Sequence, residues 1–208
     1  MLEIKSFCFG PFGTNTYVVS DAEGNILLVD PACYTPYEQQ QLLDCINSLS
    51  SGAKPEIVAT HGHLDHLWGA AWACEQWDTP VLLHPADFPM VEAMQDQYDM
   101  FGVRQTAKPF KIASLKDSKW ETNTNMTDMT VIPTPGHTPG SVCLYWEKEK
   151  VLLSGDTLFQ MGYGRTDLPG GNISQLIDSL ERLFELPSDV RVFPGHGDPT
   201  TIASERRY

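Results

Sequence analysis

The chain has 208 residues, 41% of them hydrophobic, with 27 acidic against 14 basic side chains and a formal charge of -13. That length supports a substantial core without disulfide or metal staples and is read as one domain, residues 1–208. So acidic a balance repels phosphate backbones and anionic lipid, which argues against nucleic-acid and membrane partners.

In chain order, "NTYVVS" and "NILLVDP" read as two strands divided by the turn "DAEG". A helix is expected from Pro36 to Leu49. "EIVATHGH" is the next strand-like run, followed by a helix from Leu67 to Trp77 and a longer one from about Pro85 to Phe101. Residues 102–128 are weakly patterned and polar, as in "KDSKWETNTNMTDM", and are read as surface loops and edge strands. Three more runs follow, "TVIPTPGH", "SVCLYW" and "KVLLSGD". A helix from Ile173 to Phe184 has Asn172 or Ser174 as its cap, with Leu176, Ile177, Leu180 and Leu183 at helical spacing. "VRVFPGH" is the last strand. Early strands followed by alternating strands and helices predict an α/β sandwich with helices covering the sheets.

Five of these runs end in Asp30, His61/His63, His137, Asp156 and His196. Ligand sites in α/β sheets form outside the carboxyl ends of strands, where loops converge. The stretch "THGHLDHLWG" alone holds three of the six histidines and an aspartate. Histidines can cluster by accident on a solvated loop, but chance does not explain a His or Asp delivered by several separate runs. Neutral imidazole and carboxylate are the ligands that zinc and iron select. Pro-Gly-His occurs twice, at 135–137 and 194–196, and glycine before each histidine permits a tight turn.

"THGHLDH", followed by "PTPGHTPGS", "LLSGDTLF" and "FPGHGDPTT", resembles the metallo-β-lactamase superfamily and, within it, the small glyoxalase II-like hydrolases. The resemblance runs from Asp30 to the C-terminus. It implies an αββα sandwich with a metal site at one edge of the two sheets. It also implies two divalent metal ions, zinc foremost, with iron or manganese as alternatives. One would be held by His61, His63 and His137 and the other by Asp65, His66 and His196, with Asp156 bridging them. Asp65 and Asp156 would be the catalytic carboxylates. Asp30 would support the site without ligating, although a simple loop cap is the competing reading. Three histidines leave a zinc's fourth position open, as in catalytic sites.

The activity this implies is hydrolysis of a small-molecule thioester such as S-lactoylglutathione. Tyr163 and Arg165, in "QMGYGRTDLPGG", fall where related hydrolases border the substrate, so Arg165 either pairs with a substrate carboxylate or forms a structural salt bridge. Longer glyoxalase II enzymes continue into a helical region with basic contacts to glutathione, whereas this sequence ends at Tyr208; a thioester is the expectation and glutathione one candidate for its thiol. Persulfide dioxygenases share the motifs but bind one iron, here through His61, His137 and Asp156. Lactones, other esters and β-lactams would use the same hydroxide on a different carbonyl. Nuclease branches and a non-catalytic zinc module fit less well, and H-E-x-x-H, G-x-S-x-G and P-loop motifs are absent.

The remaining candidates read as structural. His84 matches no ligand position, and Asp167 and Asp198 are loop carboxylates. The five cysteines include no C-x-x-C pair, which argues against a disulfide framework. Cys33 is read as a small buried apolar residue rather than a reactive thiol. The start "MLEIKSFCFGPFGTN" has neither a basic leader nor a long apolar run, so a cytoplasmic location is expected.

Overall fold

A computed structural model describes residues 2–49, 52, 54–115, 126 and 128–206. Residues 116–125 and 127 of the weakly patterned stretch lie outside the described residues.

Strands β1 (Glu3–Phe9), β2 (Thr14–Ser20) and β3 (Ile26–Val29) form an antiparallel meander. Helix α1 (Pro36–Leu49) has the predicted bounds and leads to β4 (Glu56–Val58). Then come α2 (Ala70–Trp77), β5 (Val81–Leu83), α3 (Phe88–Glu92), α4 (Met94–Met100) and β6 (Ile112–Ser114). These six strands make one sheet in sequence order, with β3 to β6 parallel. The chain continues through β7 (Met129–Pro133), β8 (Val142–Trp146), β9 (Val151–Gly155) and a short hairpin of β10 (Leu158–Phe159) and β11 (Gly162–Tyr163). It ends in α5 (Ile173–Phe184), β12 (Arg191–Pro194), β13 (Thr200–Thr201) and α6 (Ile202–Glu205). The second sheet has the order β13-β12-β9-β8-β7.

Period-two alternation divides the apolar residues among three cores. In β2 and β3, Val18 and Leu28 point to one side and pack with Leu42, Ile46, Ala70 and Ala73 under the first pair of helices. Tyr17, Val19, Leu27 and Val29 point to the other side, where they meet Val131, Leu144, Trp146 and Leu153 of the second sheet. The far face of that sheet presents Cys143, Leu152 and Val192 to Leu176, Leu180 and Leu183 of α5. Helix, sheet, sheet, helix is therefore the layer order, the predicted αββα sandwich. Asn172 caps α5, its Oδ1 accepting from the Gln175 amide at 3.2 Å. No helix among the described residues is long and apolar enough to cross a membrane.

Two helices differ from expectation. The helix expected from Leu67 starts only at Ala70, after a 3-10 turn over Leu64–His66, because the Gly69 amide leaves the helical ladder to donate to Pro31 O at 2.7 Å. Asp65 and His66 thus sit on a tight turn rather than at the head of α2. The run from Pro85 to Phe101 is a 3-10 turn, Pro85–Asp87, followed by α3 and α4 with a break at Ala93. Pro89 has no amide to donate, and the Gln97 side chain donates to Met90 O at 3.0 Å, a carbonyl that a continuous helix would need for itself. His84 caps the 3-10 turn, accepting from the Ala86 amide at 3.3 Å. Cys33 is buried, and that burial pushes its thiol up to about 12, which suits an inert core residue.

Candidate metal centre

The carboxyl ends of β3, β4, β7, β9 and β12 meet at one edge of the sandwich, and bonds between the sheets lock them there. The Asn15 amide donates to Gly195 O at 2.7 Å, the Tyr17 hydroxyl to Pro194 O at 2.6 Å, and the Val142 amide to Thr60 O at 2.9 Å. The loops leaving these strands bring seven predicted side chains together. His61, His63 and His137 can direct one ligand atom each to a common point, as can Asp65, His66 and His196. His61, His66 and Asp156 form a third such group, and in every group the atoms lie within 4.8 Å of one another. Asp156 stands between the sets, with Oδ1 3.3 Å from His66 Nε2 and Oδ2 3.5 Å and 3.6 Å from the Nε2 atoms of His137 and His196.

Three of the imidazoles are oriented by what their other nitrogen meets. His66 Nδ1 lies 2.9 Å from Asp30 Oδ2, His61 Nδ1 3.0 Å from Thr60 Oγ1, and His137 Nδ1 2.7 Å from Arg165 O. This is how protein partners commonly fix the ring orientation of ligating histidines. Asp30 is buried, in the left-handed region at φ 52, and also accepts from the Thr60 amide at 2.7 Å and the Thr60 hydroxyl at 2.8 Å. It touches His66 from outside the cluster, as a supporting carboxylate would. Thr14 Oγ1 donates to Asp65 Oδ2 at 3.0 Å, and His196 Nε2 lies 3.1 Å from the same oxygen.

The inward-facing atoms are what fit a metal. His61 Nε2, His66 Nε2 and Asp156 Oδ1 are buried without a well-formed hydrogen bond among the described residues, and the last two only face each other at 3.3 Å. A buried polar atom left unpaired is costly. Three of them, all donors to metals, converging between two ligand groups match the chemistry of a divalent cation.

The two glycines before histidines act differently. Gly136 adopts φ +140, and a Cβ there would lie 2.3 Å from Leu176 N of α5. Gly195 is needed for close approach alone: its Cβ would fall 2.2 Å from Asp156 Oδ1 and 2.7 Å from His66 Cε1.

Charge separates the two ligand sets. Burial, reinforced by neighbouring imidazoles, pushes His61 well below the usual histidine range and His63 down to about 3, so both are neutral and ready to ligate. Burial also opposes protonation of His66 and His196, but Asp156, Asp65 and Asp30 around the first and Asp65 beside the second outweigh it and raise both. Burial likewise opposes ionisation of Asp65, and His66 and His196 hold its carboxyl below the usual range. A raised imidazole holds its proton to higher pH than a free one, and a metal must displace it. Filling the three-histidine set is therefore expected to release almost no protons, and filling the other set up to about two. The second affinity should fall more steeply as pH drops, because protons compete more strongly below the raised values. Calorimetric titration of metal-free protein in buffers of different ionisation enthalpy measures this, and equal proton release at both steps would contradict it.

Tyr163 and Arg165 line the same cavity as His63, His137, Asp156 and His196, a space of about 380 Å³. The Arg165 guanidinium forms a bidentate pair with Asp167, Nε to Oδ1 at 2.6 Å and Nη2 to Oδ2 at 2.7 Å. The structural salt bridge considered for Arg165 is thus present, and Asp167 is its partner.

Two supporting residues escape sequence reasoning. Asp87 is fully buried and accepts from the Gly62 amide at 2.9 Å, the Thr138 hydroxyl at 2.7 Å and the Gly140 amide at 2.6 Å, tying the His61–His63 loop to the loop after His137. Gln97 accepts from the Leu64 amide at 2.9 Å and donates to Gly62 O at 3.0 Å. An Asp following an apolar run and Pro-Ala was the only available signal for the first, and none marked the second.

Known proteins resemble this chain. The sequence profile of the metallo-beta-lactamase superfamily matches residues 9–196. A probable metallo-hydrolase of Bacillus subtilis, YqgX, is 35% identical over 202 residues, covering 95% of this chain and 91% of its own. The hydroxyacylglutathione hydrolase GloC of Haemophilus influenzae is 32% identical over 208 residues, covering 94% and 91%. Among solved structures, TTHA1623 in a di-iron-bound form superposes with a TM-score of 0.84 at 34% identity, covering 98% of this chain and 97% of the other. The chain belongs to the metallo-beta-lactamase superfamily and has the metallo-hydrolase fold, with a His/Asp cluster of metal-binding character at the edge of its two sheets.

Proposed function

We propose that this chain is a metal-dependent hydrolase that cleaves a thioester, with S-lactoylglutathione the first substrate to test. The observation that carries the reading is the convergence of three buried ligand atoms without well-formed hydrogen bonds on a point lined by two donor sets and opening into a cavity. The name of the Haemophilus relative supports a glutathione thioester as the substrate. His61, His63 and His137 would hold one ion and Asp65, His66 and His196 a second, with Asp156 between them. Zinc is the proposed metal, and the di-iron form of TTHA1623 keeps iron in play.

Two bound divalent ions would supply positive charge that lowers the pKa of a water toward about 7 and polarises the scissile carbonyl. The chain's own part is orientation. Asp65, fixed by Thr14 and His196, and Asp156, between His66 and His137, present the carboxylates that would orient the attacking water and receive its proton. Tyr163 and Arg165 border the space left for substrate. A leaving thiol with a pKa of about 8.5 departs as thiolate with little help from an acid, so none need stand beside it.

Zinc-loaded protein is expected to hydrolyse S-lactoylglutathione or a simpler thioester at equal rates with and without air, and to lose that activity on chelation. Oxygen consumption with glutathione persulfide by the iron-loaded form, without thioester cleavage, would replace this reading with the single-iron dioxygenase using His61, His137 and Asp156.

A further inference from the structure

A second cavity, of about 470 Å³, opens from His63 and shares Phe101 and Leu168 with the space over the ligand cluster. Its size falls among cavities that hold a small organic ligand. Its walls include Met90, Ala93, Met100, Phe101, Pro139 and Leu168, drawn from α3, α4 and the loops around Pro139 and Leu168. Asp96 is the one charged residue among its described lining residues, and no lysine or arginine is there. Met100 and Phe101 are 54% and 39% exposed, and Phe12, 45% exposed, meets Phe101 edge-on at 5.5 Å. Large apolar side chains left in water around the mouth of a reactive site are a feature that needs an occupant. Gln97 couples the pocket wall to the ligand loop, bonding both Met90 O and the backbone of Gly62 and Leu64.

Resting on the thioester reading above, we infer that this cavity takes the acyl chain of the substrate, and that the preferred acyl group is a medium-length hydrocarbon rather than a short hydroxyacyl. With the carbonyl at the ligand cluster, the two halves of a thioester must diverge. Biological thiol carriers are polar and anionic, and Asp96, with no lysine or arginine among the described lining residues, would repel them. The hydrocarbon half is the one that matches this wall. The thiol half would leave past Tyr163 and Arg165, whose guanidinium is already neutralised by Asp167.

The test uses zinc-loaded protein and straight-chain acyl thioesters of N-acetylcysteamine, from acetyl to octanoyl, beside S-lactoylglutathione. Each methylene buried should raise kcat/KM about four-fold until the cavity is full. Ala93→Phe, which projects a ring into the pocket, should lower the octanoyl-to-acetyl ratio by at least about ten-fold. A flat series, or S-lactoylglutathione preferred over every longer acyl group, would overturn the inference while leaving thioester hydrolysis intact. If no thioester is cleaved at all, the hydrolase reading fails separately, and calorimetry with 2-octanone decides the pocket. Binding that Ala93→Phe abolishes would retain it as an apolar site, and absence of binding would remove it.

Discussion

Asp156→Ala is expected to release both metal ions together, whereas His196→Ala should weaken chiefly one. Asp156 is buried just past the carboxyl end of β9 and lies between the sets, within 3.3 to 3.6 Å of His66, His137 and His196. Its two oxygens face both sets, Oδ1 toward His66 and Oδ2 toward His137 and His196, and it stays ionised: burial works against its charge, but His66 and then His196 hold its pKa below the usual range. Loss of a residue that merely supports a ligand costs roughly 10–100-fold in metal affinity, so loss of a shared ligand should exceed that at both sites. His196 touches Asp65 and Asp156 and belongs to one donor group only. Competition with a chromophoric chelator measures the two affinities. Loss of a single site in Asp156→Ala, with the other at wild-type strength, would rule out the bridging position. Cys33→Ser serves as a comparison, since the donor groups are complete without sulfur.

The parts of this molecule that were legible in the sequence are those in which the residue type itself carries the information. Helix α1 and helix α5 appeared with their observed limits, because a proline start, an Asn172 cap and a repeat of leucines at helical spacing are local signals. The histidines and aspartates brought together at the sheet edge stood out because imidazole and carboxylate ending several strands have few other uses. Strand β1 was missed because most of it is only half covered, and strand β5 because three residues between Pro80 and His84 give no period to read. Helices α3 and α4 were merged, since the break at Ala93 depends on a side chain, Gln97, reaching back to the Met90 carbonyl. Gln97 and Asp87 share one difficulty. Most of their partners are backbone atoms of loops 25 to 53 residues distant in sequence, and an amide has no residue-type signature to search for.

Asp87 gives the larger consequence of that hidden layer. Asp87→Ala is expected to destabilise the protein by about 2–4 kcal/mol and to weaken the three-histidine metal set more than the other. Its Oδ2 accepts from the Gly62 amide and the Thr138 hydroxyl, and its Oδ1 from the Gly140 amide. The loops are shaped around it: a Cβ on Gly140 would stand 2.7 Å from Asp87 Cγ, and one on Gly62 3.1 Å from Asp87 Cβ. Thr138 keeps a partner when Asp87 is removed, since Ser141 Oγ lies 2.8 Å away. The amides of Gly62 and Gly140 have no such alternative among the described residues, and a buried donor left unpaired costs about 1–3 kcal/mol. Part of that loss is offset because the burial that raises the Asp87 pKa marks a cost of holding its charge, which alanine does not carry. Gly62 stands between His61 and His63, and Gly140 follows His137 by three positions, so relaxing both loops disturbs one donor group. Asp65 and His66 are held instead by Thr14 and Asp30, and His196 lies against Asp65. Asp87→Asn should fall between the two, because its single oxygen can keep Gly62 and Thr138 while its amide then faces the Gly140 N–H, donor against donor. Denaturant unfolding of the metal-free proteins gives the stability order, and chelator competition gives the affinities. Equal loss of affinity at both donor groups, or an alanine variant as stable as wild type, would show that the ligand loops hold their shape without this carboxylate.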